Sequence, residues 1–116
     1  MTILIADDDS AILRVISRCL GRWGFCVITA STGEELLSAW KKNRCQVVLS
    51  DVQMPGFLDG LGACEIIRNM NRGVRIFFMT GDAESREKIE KKGFSLAFLK
   101  PFVLEEVRAW SRILDP

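Results

Sequence analysis

Histidine is absent from this 116-residue chain. Without imidazole there is no triad hydrolysis and no internal phosphohistidine, so any phosphoryl donor has to come from outside. Cys19, Cys26, Cys45 and Cys64 form no C-x-x-C pair, whereas zinc sites want clustered thiolates or imidazoles. They read as reduced, mostly buried thiols acting as small hydrophobes. No apolar run reaches membrane-spanning length, and the amino terminus enters an apolar segment without a charged leader. Neither an anchor nor a signal peptide is expected, and the expected location is cytoplasmic with no membrane insertion. The 16 Lys/Arg residues are scattered among 15 Asp/Glu for a net charge of +1, which offers no basic stripe for direct nucleic-acid binding. No G-x-G-x-x-G follows the first apolar run, so dinucleotide binding is unsupported. No linker, repeat or low-complexity segment interrupts the chain.

What is present alternates. Residues 1–116 are nearly half apolar and suffice for one domain with its own core. Ala11, Ile12, Val15, Ile16, Cys19, Leu20 and Trp23 recur at helical spacing before Gly24. Phe25 to Thr29 reads as a strand, and Thr32-Gly-Glu-Glu35 as a capping box opening a helix through about Lys42. A run ending at Ser50 leads to Asp51 and a Met54-Pro55-Gly56 turn. From about Gly60 to Asn71 a helix is predicted with Ala63, Ile66, Ile67 and Met70 inward. The charged segment Asp82 to Lys92 offers only Ala83 and Ile89 to a core and predicts the least firmly held helix. Leu104, Val107, Trp110, Ile113 and Leu114 mark a last helix. Trp23, Trp40 and Trp110 read as packing residues, with Trp110 bordering the face beside Ala97.

Five strand-helix units with strands this short and apolar predict an α/β fold, a parallel sheet covered on both faces. Right-handed crossovers leave few topologies, and a single doubly wound, flavodoxin-like (βα)5 domain of order 2-1-3-4-5 suits the length. Asp7 and Asp8, Asp51, Thr80 and Lys100 each follow an apolar run, so they meet at the carboxyl edge of that sheet, where such folds place their ligand sites. Two carboxylates about 4 Å apart repel by about 4 kcal/mol at an effective dielectric near 20. Three of them call for a compensating cation. Oxygen ligands without imidazole or thiolate favour Mg²⁺, with Mn²⁺ as a substitute. Taken singly, each element has a plainer reading, Asp9 or Ser10 as a helix cap, Thr80-Gly81 as a turn, Lys100 as a solvated strand end. Their conjunction at successive strand ends is what carries the site.

Asp7-Asp8, Asp51, Met54-Pro55-Gly56, Asp59-Gly60, Thr80-Gly81 and Lys100-Pro101-Phe102 resemble the signature of the response-regulator receiver domain of two-component signalling, in order and spacing over essentially the whole chain. The resemblance implies that Asp51 accepts a phosphoryl group from a phosphohistidine on a histidine kinase or histidine phosphotransfer protein. It implies that Asp8 and Asp51 ligate Mg²⁺ directly, Asp7 through water, and Gln53 through its backbone carbonyl. Lys100 would pair with the phosphoryl group across a cis bond to Pro101, and Thr80 would move to hydrogen-bond a phosphoryl oxygen. Such a protein is not a conventional enzyme, but catalyses its own phosphorylation and dephosphorylation. Its output would be a change in protein contacts with a partner not named by the sequence. With no effector segment after Pro116, the expectation is a stand-alone receiver or a piece of a hybrid kinase or longer regulator.

Two departures stand out. The family usually has an aromatic residue three positions before the lysine. Here that residue is Ala97, with Phe98 expected on the other side of the strand. The switch is therefore expected in the helix and loop after Thr80. Between Pro55 and Asp59, Gly56-Phe57-Leu58 is one residue longer than the commonest receiver spacing, with Phe57 and Leu58 either a docking lip or folded back. Gln53 and Asp82 occupy positions that tune phosphoryl lifetime in the family. Two readings of other classes are a phosphorylation-independent interaction module on the same fold and a small Mg²⁺-dependent phosphohydrolase. The haloacid-dehalogenase pattern wants Asp at position 53, which is Gln.

Overall fold

The computed structural model describes residues 1–114. The elements run β1 (Thr2–Ala6), α1 (Ser10–Arg22), β2 (Cys26–Ala30), α2 (Gly33–Asn43), β3 (Val47–Asp51), α3 (Gly60–Met70), β4 (Arg75–Thr80), α4 (Ala83–Lys91), β5 (Ser95–Leu99) and α5 (Leu104–Leu114). All strand pairs are parallel and the sheet order is β2-β1-β3-β4-β5. Side chains alternate across the central strands, as the pleat demands. Leu4, Ala6 and Val48 face a core shared with Leu36 and Trp40 of α2, Ala63, Cys64 and Ile67 of α3, and Ile89 of α4. Ile3, Ile5 and Leu49 face Leu13, Ile16 and Leu20 of α1 and Val107, Trp110 and Leu114 of α5. The doubly wound reading is therefore correct in strand order and in layers.

Local chemistry accounts for the boundaries. The Asp9 carboxylate caps α1 by accepting from the amides of Ala11 and Ile12. At its far end Gly24 takes φ +97°, while Phe25 N–H donates to Leu20 O and Gly24 N–H to Gly21 O. That pair of bonds is a Schellman closure. It uses Phe25, so β2 begins one residue later than the apolar run suggests. Thr32 Oγ1 accepts from Glu35 N at 3.1 Å, and the Glu35 carboxylate accepts from Ser31 N at 2.7 Å. The predicted capping box thus closes one residue further out.

Several inward faces differ from their predicted positions. In α1 the buried stripe is Leu13, Ile16 and Leu20, while Ala11 and Val15 are exposed. In α3 Ile66 and Met70 are exposed, and Leu61, Ala63, Cys64 and Ile67 carry the burial. Ala83 of α4 is exposed and Ser85 takes its place. Leu104 and Ile113 of α5 are exposed, with Ser111 buried beside Trp110. An apolar stripe sets the period of a helix but not the angle at which it seats on a sheet with its own twist. Of the cysteines, only Cys45 and Cys64 are buried; Cys26 is exposed and Cys19 half-buried. Trp40 and Trp110 are buried, as expected of packing residues, while the Arg108 guanidinium lies over the half-buried ring of Trp23.

α4 buries only Ser85 and Ile89. Amide hydrogens of Arg86–Lys91 are expected to exchange faster by at least tenfold than those of Ile16–Leu20 in α1, since few buried apolar contacts hold the helix down. Equal protection in the two segments would show that the sheet holds α4 as firmly as α1.

Candidate functional site

The carboxyl ends of β1, β3, β4 and β5 converge on one cleft. Asp7 follows β1 and is fully buried. Its Oδ1 accepts from Asp9 N at 2.9 Å and its Oδ2 from Lys100 Nζ at 2.5 Å. Asp51, the last residue of β3, accepts from Val52 N at 2.8 Å through Oδ1 and from Lys100 Nζ at 3.1 Å through Oδ2. One ammonium group therefore bridges two carboxylates. Asp8 is exposed at the mouth, and one oxygen from each of Asp7, Asp8 and Asp51 lies within 4.8 Å of the others.

The electrostatics follow from that crowding. Burial pushes the Asp51 carboxyl above the usual carboxylate range, and the charge of Asp7 adds to this. Lys100 and the Val52 amide pull it back without cancelling the rise. Burial works to lower the Lys100 pKa, but the hydrogen bond it donates to Asp7 and the charges of Asp51 and Asp7 outweigh it and raise its pKa. The site holds its cation tightly and its central carboxylate at raised basicity.

Thr80 ends β4, nearly buried; its Oγ1 accepts from Asp82 N at 3.4 Å, and its carbonyl accepts from Lys100 N at 2.9 Å. The second bond ties β4 to the Lys100 turn, and the Lys100–Pro101 peptide is cis, as the resemblance implies. Asp82 caps α4, and the hydroxyl and amide of Ser85 hold its carboxyl below the ordinary range. Gln53 is exposed two residues beyond Asp51. Every residue predicted from the strand ends is thus at this edge of the sheet.

Three contacts at the site were not legible in the sequence. Ser50 is fully buried and donates its hydroxyl to Asp51 O at 2.7 Å. A Cβ at Gly60 would lie 1.8 Å from Asp51 O, so the start of α3 rests directly on the backbone of β3. Glu34 Oε1 accepts from Leu58 N at 2.7 Å, joining α2 to the loop after Asp51. Gly60 and Glu34 stand in motifs the sequence offers, but the motifs do not state which distant backbone each one meets.

The two departures also resolve. Phe78 pairs with Leu96 but Met79 with Phe98, so the register shifts at Ala97 as in a β-bulge. Strict alternation fails there. Phe98 does not point away from Ala97, and both pack on the side of α1 and α5, Phe98 with its ring 5.1 Å from Phe102 and 6.2 Å from Trp110. In the longer loop, Leu58 packs against the core while Phe57 is fully exposed.

The donor set fits a hard divalent cation. One oxygen from each of Asp7, Asp8 and Asp51 lies within 4.8 Å of the others, a cluster that could hold such an ion. All donors are oxygen, and the fully buried Asp7 fixes one side of the cluster.

Comparison with known proteins bears on this edge of the sheet. The model of the response regulator receiver domain family matches residues 3–111. The chain is 36% identical over 109 residues to a probable transcriptional regulator ycf27 of Guillardia theta, covering 92% of this chain and 42% of that protein. It is 35% identical over 114 residues to the response regulator MprA of Mycobacterium sp. (strain KMS), covering 97% of this chain and 49% of that protein. The chain spans just under half the length of these relatives. Among solved structures it is similar to the chemotaxis response regulator CheY4 of Vibrio cholerae, with a TM-score of 0.83, 27% identity and 98% of each chain covered.

Proposed function

The chain belongs to the response regulator receiver family of two-component systems, and on that premise we propose that residues 1–116 act as one phosphorylation-dependent signalling switch with Asp51 as phosphoacceptor. The observation that carries this reading is the Lys100 ammonium bridging Asp7 and Asp51 beside a third carboxylate. A phosphorylation-independent interaction module has no need to hold repelling carboxylates together.

An oxygen of the Asp51 carboxylate attacks phosphorus in line with the leaving imidazole of a partner's phosphohistidine. The O–P bond forms as the P–N bond breaks, and the electron pair leaves with the imidazole nitrogen. Hydrolysis reverses the loading: water attacks phosphorus, the Asp51 carboxylate departs, and inorganic phosphate is released. Lys100 neutralises charge on the equatorial oxygens and Thr80 supplies a hydroxyl donor, which is most of what phosphoryl transfer asks of a protein. Asp51 acts as the nucleophile in its ionised form, which the bridging ammonium favours. Asp8, Asp51 and the Gln53 carbonyl would hold Mg²⁺, or Mn²⁺ in its place, with Asp7 behind a water. That ion supplies Lewis-acid neutralisation of the phosphoryl oxygens.

The donor is a histidine kinase or a histidine phosphotransfer protein. An apolar groove lined by Ala11, Ile12, Val15, Phe102, Val103 and Leu104 begins just past Lys100-Pro101 and supports docking of a protein partner there. Thr80 and Lys100, drawn to the phosphoryl group, supply the differential contacts that a two-state change requires. α4, with its two buried side chains, is the element they bias.

The test is intact-mass analysis after incubation with acetyl phosphate, with and without Mg²⁺, followed by borohydride reduction to mark the acylated residue. A Mg²⁺-dependent gain of one phosphoryl group with homoserine at position 51 is expected. No adduct under either condition would favour the phosphorylation-independent module.

A further inference from the structure

We propose that Glu34, on the first turn of α2, is a positioning residue for the cation site, acting through the loop that carries Gln53. This rests on the receiver reading above. The loop from Val52 to Asp59 joins the phosphoacceptor strand to α3; its ends are tied by the bonds to Val52 O and by the Asp59 cap, and its middle is sparsely bonded. Gly56 sits at φ +106°, and Phe57 next to it is fully exposed. Among the described residues, segment 53–58 makes one hydrogen bond, Leu58 N–H to Glu34 Oε1 at 2.7 Å. Apolar anchorage comes from the side chains of Met54 and Leu58.

The first turn of α2 is shaped to meet this loop. A Cβ at Gly33 would lie 2.0 Å from Leu58 O and 2.6 Å from Asp59 O, so bare backbone of α2 touches bare backbone of the loop. The Glu34 carboxylate also lies against Gly56, with Oε2 2.7 Å from where a Cβ would stand. Capping of α2 is done by Thr32 and Glu35, which leaves Glu34 free of that duty. The loop, one residue longer than the commonest receiver spacing, is bonded to Glu34 at Leu58 and approached by its carboxylate at Gly56, on either side of Phe57. Gln53 lies in the same short segment, so the brace limits where its carbonyl can go. Groups hydrogen-bonded directly to a metal ligand typically contribute about 10–100-fold in metal affinity, and Glu34, which bonds the loop at Leu58 rather than at Gln53, is expected at the lower end of that range.

Glu34→Ala and Glu34→Gln separate this role from a purely structural one, since glutamine keeps an acceptor oxygen and loses the charge. Mg²⁺ binding is measured by titration calorimetry, and the Leu58 amide by hydrogen exchange. In Glu34→Ala the Mg²⁺ dissociation constant is expected to rise on the order of tenfold and Leu58 exchange to accelerate. In Glu34→Gln both stay near parental. If Glu34→Ala accelerates Leu58 exchange while Mg²⁺ affinity is unchanged, the brace is structural only and the proposal is overturned. Equal impairment of the two variants also overturns it, since charge rather than hydrogen bonding would then be at work. A parent chain that binds no Mg²⁺ would overturn the receiver reading itself, a result distinguishable from a failure confined to the variants.

Discussion

A methyl group at position 60 is expected to destabilise the fold by about 3 kcal/mol or more, at the upper end of what overpacking costs. The Cβ would lie 1.8 Å from Asp51 O and 2.6 Å from Ser50 Oγ. The nearest atom belongs to the backbone of a central strand and cannot rotate away. α3 has to lift, which breaks the bond from Gly60 N to Val52 O at 2.9 Å. Against this, alanine gains about 1 kcal/mol over glycine in a helix interior, and less at a first position. Sterics win. Gly21 is the control: it is exposed near the end of α1 with nothing within 4 Å of its Cβ position. Gly21→Ala is expected to stabilise by about 0.5–1 kcal/mol. Urea unfolding of both variants checks the pair. A Gly60→Ala protein as stable as the parent would show that α3 does not rest on the Asp51 backbone.

Asp51→Asn is expected to abolish the acetyl phosphate adduct while leaving the protein at least as stable as the parent at neutral pH. The two effects have one cause. Burial raises the Asp51 pKa in the folded state despite Lys100, so the folded protein holds that proton more tightly than the unfolded chain does. As pH rises from below the unfolded value through the folded one, stability is lost, and above both values the penalty is fully present. Asparagine removes the charge and with it this penalty, at the cost of a weaker bond to Lys100. Relative to the variant, the parent is therefore expected to gain stability as the pH is lowered toward 4. Thermal melts at pH 4 and pH 7 read the difference. A variant less stable than the parent at neutral pH would mean that the Lys100 bridge outweighs the burial of the charge.

The strand ends were legible because each apolar run is short and stops at a polar residue. Asp7, Asp51, Thr80 and Lys100 follow such runs directly, and parallel strand order brings their ends together. Helix caps at Asp9, weighed against Ser10, and at Thr32 were legible too, since a side-chain oxygen meets an amide two or three residues on. Leu13 displaced Val15 from the core because helical period does not state the seating angle. Phe98 shares a face with Ala97 because a bulge answers to the partner strand, which a single run of residues does not reveal.

Local pattern determined the elements, their order and the edge of the sheet at which five side chains meet, because period, caps and run length act over a few residues. Tertiary structure alone decided what those side chains do to one another. Lys100 reaches Asp7 across 93 positions and Asp51 across 49, and Glu34 reaches Leu58 across 24. Bonds at such separations are set by how layers pack and how closely backbones approach, as at Gly33 and Gly60. No stretch of sequence encodes that distance by itself.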